Sequence, residues 1–150
     1  MVLSIKNHQN KLPVVKGTVR QIAKKILSKF SISRYRICIA FLDDENIKRL
    51  NKRFLGSDFP TDVLAFPYKG SKEKSGSVLW ADIAISTDTA IKNSRYFKTS
   101  VNQELCLYII HGILHILGFD DNTASQRQRM EKEQQHWLKK LKPEIKYLLK

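Results

Sequence analysis

Residues 103–121 read QELCLYIIHGILHILGFDD and contain the most apolar segment of the chain. We predict a helix here that starts at Ser100 or Asn102, because both residue types cap helix N-termini. It ends at Gly118, since glycine supplies the left-handed turn that closes many helices. Two histidines interrupt an otherwise apolar surface, and polar groups buried in a core need a partner. The segment therefore predicts a core helix that also carries a site.

His111 and His115 lie on the same side of this predicted helix. Residues four apart differ by about 40° in direction, with Cβ atoms about 6 Å apart, so two imidazoles can hold one metal ion. After Gly118 the chain can fold back and bring Asp121 to the same ion. Two nitrogens and one carboxylate leave a position open for water, as in catalytic metal sites. The alternative is a histidine pair at the polar edge of a core helix.

Gly112 excludes one class of metalloenzyme. Metalloproteases with the HExxH motif carry a glutamate directly after the first histidine, where it acts as the general base. This chain has Gly112 at that position. The remaining frame is that of the metzincins without their base, so peptide hydrolysis is disfavoured.

Working outward, the rest of the chain predicts alternating strands and helices that form one domain over residues 1–150. Helices are expected over 15–29, from Asp43 or Asp44 to about Phe54, from Ser86 or Thr87 to about Phe97, and over roughly 124–141. Strands are expected at 2–7, 35–42, 61–68 (stopped by Pro67) and 78–86, and KGSKEKSGS (69–77) is a predicted polar loop. The order β-α-β-α-β-β-α-α-α predicts an α/β (α+β) domain. We expect a mixed sheet of about four strands and about five helices, in a strand order that the sequence does not give.

The charge predicts a polyanionic partner. Lysine and arginine number 27 against 14 acidic residues, for a net charge of +13. The basic residues recur in groups, among them Arg127, Arg129 and Lys132, and neutralising phosphates releases condensed counterions. RNA or DNA is therefore the expected partner. A solvated basic surface without a partner is the alternative.

Composition also predicts a cytoplasmic location. The two cysteines, Cys38 and Cys106, each lie in an apolar stretch, which is typical of a reducing compartment. The N-terminus does not have the pattern of a signal peptide, and apolar runs are too short to span a bilayer, so no membrane is expected. His8 and His136 are isolated from the other histidines and are expected on the surface.

Four markers give the chain a resemblance to the YbeY family of endoribonucleases and rRNA maturation factors. They are LNKRFLGSDFPTDVLAFPY (50–68), ADIAIS (81–86), HGILHILGFDD (111–121) and the spacing from Met130 to Glu133. The resemblance implies a zincin-like fold with one Zn²⁺, or another divalent metal, at His111, His115 and Asp121. It further implies a single-strand-specific, metal-dependent endoribonuclease that acts in 16S rRNA 3′-end maturation and ribosome quality control. The implied partners are rRNA and the ribosome or ribosomal proteins.

The chain departs from the family pattern at three positions. Asp121 stands where the family usually has a third histidine. A carboxylate oxygen is a chemically harder donor than an imidazole nitrogen, so the metal preference can differ. Leu55 stands where the family often has a phosphate-binding arginine, and Arg53 is the candidate replacement. Ala81 replaces a glycine before Asp-Ile. Asp120 matches the aspartate of the family motif and is the other candidate catalytic residue, either as a partner of a ligand or as a competing ligand.

Several assignments stay open in the sequence. The chain could instead be a non-catalytic ribosome-associated rRNA processing factor whose metal is structural. For the candidate base-stacking residues, core packing is the more ordinary role and stacking on unpaired bases the alternative; these are Tyr68, Trp80, Tyr96 and Phe97. Thr61 and Asp62 are expected to form a turn that shapes the cleft.

Overall fold

The computed structural model describes residues 1–68 and 78–150. The predicted polar loop, KGSKEKSGS, lies outside the described residues. In chain order the elements are β1 (Val2–His8), α1 (Lys16–Lys29), β2 (Tyr35–Leu42), α2 (Asp44–Leu55), β3 (Val63–Pro67), β4 (Leu79–Ser86), α3 (Thr87–Phe97), α4 (Val101–Ile116), α5 (Ala124–Lys140) and α6 (Lys142–Ile145).

The helix starts follow the predicted capping residues. The side chains of Asp43, Ser86 and Ser100 each accept a hydrogen bond from a backbone N–H of the first turn of α2, α3 and α4. The sequence left two candidate caps for each of these helices. The caps are Asp43 for α2, Ser86 for α3 and Ser100 for α4. The described residues form one helix more than predicted, because Pro143 is accommodated in the first turn of α6, where proline loses no helical hydrogen bond.

The strands form one mixed sheet in the order β1-β2-β4-β3. β1, β2 and β4 are parallel, whereas β3 pairs antiparallel with β4 and lies at the edge. The register aligns Ile39 with Ile83 and Ile83 with Ala65. The predicted mixed sheet of four strands is therefore confirmed, and β3 is the edge strand nearest to α4.

Alternation along the strands separates two faces of the sheet. Ile37, Ile39, Ile83 and Ile85 pack on the face covered by α1 and α4, which we call the helical face, in a cluster that also includes side chains of α5. On the opposite face, called the α2 face, Ile47 of α2 packs with the remaining members of a small cluster, Leu42, Leu64 and Ala84. Helix α4 contacts α1, α3, α5, α6, β3 and β4 and is the central element of the helical face.

No helix within the described ranges is both long enough and apolar enough to cross a lipid bilayer.

Asp44 joins the N-termini of α2 and α3. Its carboxylate accepts hydrogen bonds from Ser86 at 2.5 Å, from Thr89 at 2.8 Å and from the Lys92 ammonium at 2.7 Å. Burial alone would raise the pKa of Asp44, but the hydrogen bonds from Lys92, Ser86 and Thr89 outweigh it, so the pKa is lowered. The ionised carboxylate therefore stabilises the folded state.

We expect Asp44→Asn to lower the free energy of unfolding at pH 7 by about 2 kcal/mol, because hydrogen bonds to a charged group are lost. The folded pKa lies below the ordinary value of 3.8, so this contribution is complete above that value and is lost as pH falls through the folded pKa. Urea unfolding at pH 7 and pH 3 measures the difference between the two proteins. Asp58→Asn, which removes an exposed ion pair with Lys48 of 3.9 Å, is the control and should change little. An Asp44→Asn effect of equal size at both pH values would contradict this account.

Candidate functional site

Helix α4 exposes one narrow stripe at the edge of the core. The other side chains of its last three turns, from Leu105 to Ile116, are buried, whereas Gln103, Leu107, His111 and His115 recur every four residues and are at least partly accessible. The two imidazole rings on this stripe have centroids 5.9 Å apart. The predicted placement of both histidines on one side of the helix is therefore confirmed.

Gly112 allows α4 to lie directly on the sheet. A Cβ atom at this position would meet Cγ2 of Ile83 at 2.7 Å and Cγ2 of Val63 at 3.3 Å. The first of these distances is far below van der Waals contact, so any side chain would push the helix away from β3 and β4. The same close approach leaves no room for the glutamate of an HExxH motif. Close packing therefore explains why a glycine stands at position 112, where an HExxH protease has its general-base glutamate.

The ring of His111 is oriented by a residue that the sequence reasoning missed. Its Nδ1 lies 2.6 Å from Oε1 of Gln134, a side chain of α5 that is only 7% exposed. The amide nitrogen of Gln134 donates in turn to Glu131 at 3.3 Å, so its oxygen faces the ring. Nδ1 of His111 therefore carries the proton, and the lone pair of Nε2 is left for another ligand. The sequence contained one signal for this role. Gln134 is a polar residue on the side of α5 that otherwise buries Met130, Trp137 and Leu138.

The ring of His115 is oriented by the turn that follows its own helix. Gly118 adopts φ 106°, and the chain then returns so that the Phe119 carbonyl lies 3.1 Å from Nδ1 of His115. A carbonyl only accepts, so Nδ1 carries the proton and Nε2 keeps its lone pair. Asp120 lies on the same side of the ring, with Oδ1 3.8 Å from Nδ1. Of the two sequence alternatives for Asp120, this geometry favours a partner of His115 over a competing ligand.

Asp121 lies three residues after Gly118, and its carboxylate faces His111. Its Oδ2 is 3.9 Å from Nε2 of His111, the nitrogen that carries the lone pair. Two donors bound to one zinc ion at about 2.1 Å and a tetrahedral angle are about 3.4 Å apart. The donor chemistry of two Nε2 atoms and a nearby carboxylate therefore fits a divalent metal. Within residues 1–68 and 78–150 no group of three or more His, Cys, Asp and Glu side chains is close enough to hold an ion, so the three-ligand set stays a prediction.

Arg53 is separated from the histidines by the sheet. It lies in the last turn of α2, on the α2 face, with its guanidinium carbon 5.4 Å from the centroid of the Phe54 ring. It also lines a cavity with His8 and Asn46. The structure thus brings Asp120 and Asp121 to the histidines but not Arg53. A role for Arg53 in holding phosphate stays a prediction, and it requires RNA that reaches both faces of the sheet.

The candidate stacking residues are not core residues. Tyr68, Trp80, Tyr96 and Phe97 are between 43% and 80% exposed, so the expectation of core packing was wrong for all four. Tyr68 and Trp80 stack on each other on the α2 face, and Tyr96 and Phe97 lie at the end of α3. The apolar area of these rings was overestimated as a burial signal, because each ring contacts another exposed aromatic ring and not the core.

A four-stranded mixed sheet covered by helices on both faces, one of which carries the two histidines, defines the class of single-domain α/β proteins. The solution structure of TM1509 from Thermotoga maritima has the same fold, with a TM-score of 0.63 and 24% identity over 96% of this chain and 89% of that one.

Sequence comparisons place the chain within one family of this class. The family model described as Endoribonuclease YbeY matches residues 4–142. The Endoribonuclease YbeY of Syntrophus aciditrophicus is 33% identical over 138 residues, which is 90% of this chain and 86% of that protein. That of Persephonella marina is 35% identical over 122 residues, covering 81% and 76% respectively. The chain therefore belongs to the YbeY endoribonuclease family.

We expect Gly112→Ala to lower the free energy of unfolding by about 1–3 kcal/mol, the usual effect of overpacking a core. Gly17→Ala is the matched control, since Gly17 is also helical and a Cβ there meets nothing within 4 Å. That substitution should be neutral or stabilise by up to about 1 kcal/mol through helix propensity. Chemical denaturation of both variants measures the contrast, and equal stabilities would show that α4 does not depend on this contact.

Proposed function

We propose that the chain is a single-strand-specific, metal-dependent endoribonuclease that acts in 16S rRNA 3′-end maturation and ribosome quality control. Its membership of the YbeY endoribonuclease family and its net charge of +13 support an RNA substrate. The observation that carries the metal dependence is the orientation of the two imidazoles. Both Nδ1–H groups are held by oxygen acceptors, so both Nε2 atoms keep a lone pair. This arrangement is typical of histidines that bind metals.

We assign His111, His115 and Asp121 as the residues that would hold one zinc ion or another divalent metal. When bound, such an ion supplies a Lewis acid that activates water and offsets charge on a phosphoryl group. The protein's own contribution is to hold the donors in place. Gln134 and the Phe119 carbonyl orient the two rings, and Asp120 adds negative charge beside Nδ1 of His115. A carboxylate beside the Nδ1–H of a histidine helps to fix the orientation of the ring, so we assign Asp120 as a positioning residue.

Helix α5 supplies the arginines that would hold the RNA backbone. Arg127 donates to the carbonyls of Asp121 and Asn122 at 3.4 and 3.3 Å, which places its guanidinium beside the candidate ligand. Arg129 lies with its guanidinium carbon 5.1 Å from the centroid of the Phe119 ring, on the same turn. Both arginines contact the turn that follows the histidines, whereas Arg53 lies on the opposite face of the sheet. A ribosomal RNA substrate would make the ribosome or its proteins the partners and the cytoplasm the location.

We expect His115→Ala to lose bound metal and to lower cleavage of single-stranded RNA by more than about 100-fold, since removing even an outer partner of a ligand costs 10–100-fold. Asp121→Asn should weaken metal binding, and Asp121→His should retain it, because histidine also binds zinc. Metal content of the purified proteins and cleavage of a labelled oligoribonucleotide are both measured. His136→Ala changes an exposed histidine and is the control.

The separate readouts divide the possible failures. A His115→Ala protein that has lost its metal and still cleaves at the wild-type rate would show that the activity lies elsewhere. A His115→Ala protein that keeps its metal would show that the ligand assignment is wrong. Neither result depends on the identity of the natural rRNA cleavage site.

We expect Arg127→Gln to weaken binding of single-stranded RNA uniformly across sequences. Losing one phosphate contact should reduce the slope of log affinity against log salt by about 0.7 for a single strand. Fluorescence anisotropy over a range of salt concentrations measures this slope. Lys142→Gln, at the start of α6, is the control for a general loss of positive charge. An unchanged slope for Arg127→Gln, or an equal change for Lys142→Gln, would contradict a local role for Arg127.

A further inference from the structure

A cavity of about 310 Å³ lies beside the histidine stripe of α4. Gln103 and Leu107, which precede His111 on the stripe, form part of its wall. Leu107 is one turn before His111, about 6 Å along the helix axis. Gln135, which also lines the cavity, directly follows the residue that orients His111. The cavity and the imidazole of His111 therefore lie along the same stripe of α4, about one helical turn apart.

The floor of the cavity is a buried polar network. Tyr108 is 2% exposed, and its hydroxyl accepts a hydrogen bond from Asn93 at 2.8 Å. Glu104 is 5% exposed and accepts one from Thr99 at 2.6 Å. Burial raises the pKa of Tyr108, and the nearby carboxylates of Glu104 and Asp62 raise it further. The two carboxylates, Glu104 and Asp62, therefore make this part of the cavity more favourable for a hydrogen-bond donor than for an anion.

Asp62 presents a carboxylate oxygen at the rim. Its Oδ1 accepts from the backbone N–H of Val63 at 2.8 Å and from the Thr61 hydroxyl at 3.3 Å. The other oxygen, Oδ2, has no hydrogen-bond donor among residues 1–68 and 78–150 and can accept from a ligand. Among the described residues, no lysine or arginine lines the cavity. A phosphate would be repelled here, whereas an uncharged group with N–H donors would be attracted.

The walls provide flat apolar surface. Phe97 lines the cavity and is 61% exposed, and Leu107 and Leu138 lie on the walls contributed by α4 and α5. An exposed aromatic ring next to a carboxylate suits a nucleobase, because the base can stack on the ring while its edge donates to the oxygen. Stacking of this kind tolerates every base, because each base has an aromatic face.

We propose that this cavity binds the base of a nucleotide next to the cleaved bond and selects bases with an exocyclic amino group over uracil. The substrate class rests on the proposed function. Phe97 stacks on the base, and Oδ2 of Asp62 accepts from its amino group. Cytosine and uracil have the same size and differ at this edge by an amino donor against a carbonyl acceptor. They are therefore the decisive pair.

The test is binding of fluorescently labelled 2′-deoxy decamers of cytosine and of uracil to the metal-loaded protein, with gels to confirm that they stay intact. We expect wild type to bind the cytosine decamer about tenfold more tightly, equivalent to about 1.4 kcal/mol. Asp62→Asn keeps the oxygen that caps Val63 and replaces the other by an amide N–H₂. It should lower the ratio to below about threefold by weakening cytosine and not uracil. Phe97→Ala should weaken both decamers by about tenfold and leave the ratio unchanged.

Tyr147→Ala is the matched control, because Tyr147 is 64% exposed and lies outside the cavity. Thermal unfolding of each variant checks that it is folded. Equal affinity of wild type for the two decamers overturns the proposal, as does an unchanged ratio for Asp62→Asn or unchanged affinities for Phe97→Ala.

Cleavage of the corresponding oligoribonucleotides, measured separately, distinguishes the two levels. Base preference in binding without any RNA cleavage would leave the cavity assignment standing and remove the proposed function. RNA cleavage by a protein that binds the cytosine and uracil decamers equally would leave the proposed function standing and remove the cavity assignment.

Discussion

The close contact between α4 and the sheet at Gly112 is the constraint on which the candidate site depends. The helix lies so near Ile83 and Val63 that no Cβ fits between them. Because α4 also contacts α1, α3, α5 and α6, a shift of the helix away from the strands would disturb the whole helical face. His111 and His115 flank this contact, so the packing that holds the fold together also sets where the imidazoles lie. A rigid support of this kind is what a preorganised site requires.

The two imidazoles are oriented by contacts of different range. His115 is held by the carbonyl of Phe119, four residues later, and needs only the left-handed turn at Gly118. His111 is held by Gln134, 23 residues later, and needs α5 to be docked. Loosening of α5 would therefore release His111 while His115 stayed in place. Formation of the pair is coupled to the docking of the last long helix, which links the stability of that helix to the site.

Charge changes sign along the stripe of α4 that carries the histidines. Beyond the C-terminal end of α4, next to Asp121, Arg127 and Arg129 of α5 are available for a polyanion. At the other end, Glu104 and Asp62 make the cavity electronegative. A nucleotide chain has both kinds of surface, with anionic phosphates and bases that carry N–H donors. The two ends of the stripe therefore suit different parts of a nucleotide, the phosphate at one end and the base at the other, without any contact to the α2 face.

Local chemistry explains most of what the sequence by itself determined. The helix and strand bounds, the pairing of His111 with His115 on one side of α4, and the turn at Gly118 all follow from residues within a few positions of each other. Capping left a choice of two residues at the starts of α2, α3 and α4, and the geometry of the first turn decided it for Asp43, Ser86 and Ser100. Family membership also followed from contiguous motifs, because each motif is a local pattern.

Only the tertiary structure decided the features that depend on residues distant in the chain. The strand order β1-β2-β4-β3 requires a choice among pairings that local patterns do not rank. The role of Gln134 was hidden, because a glutamine on a helix is usually solvated and only docking of α5 buries it against His111. Exposure of Phe97 and the cavity beside it depend on how α3, α4 and α5 meet. Burial, long-range hydrogen bonds and cavities are properties of packing, whereas the sequence specifies directly only the conformations and faces of the elements that pack.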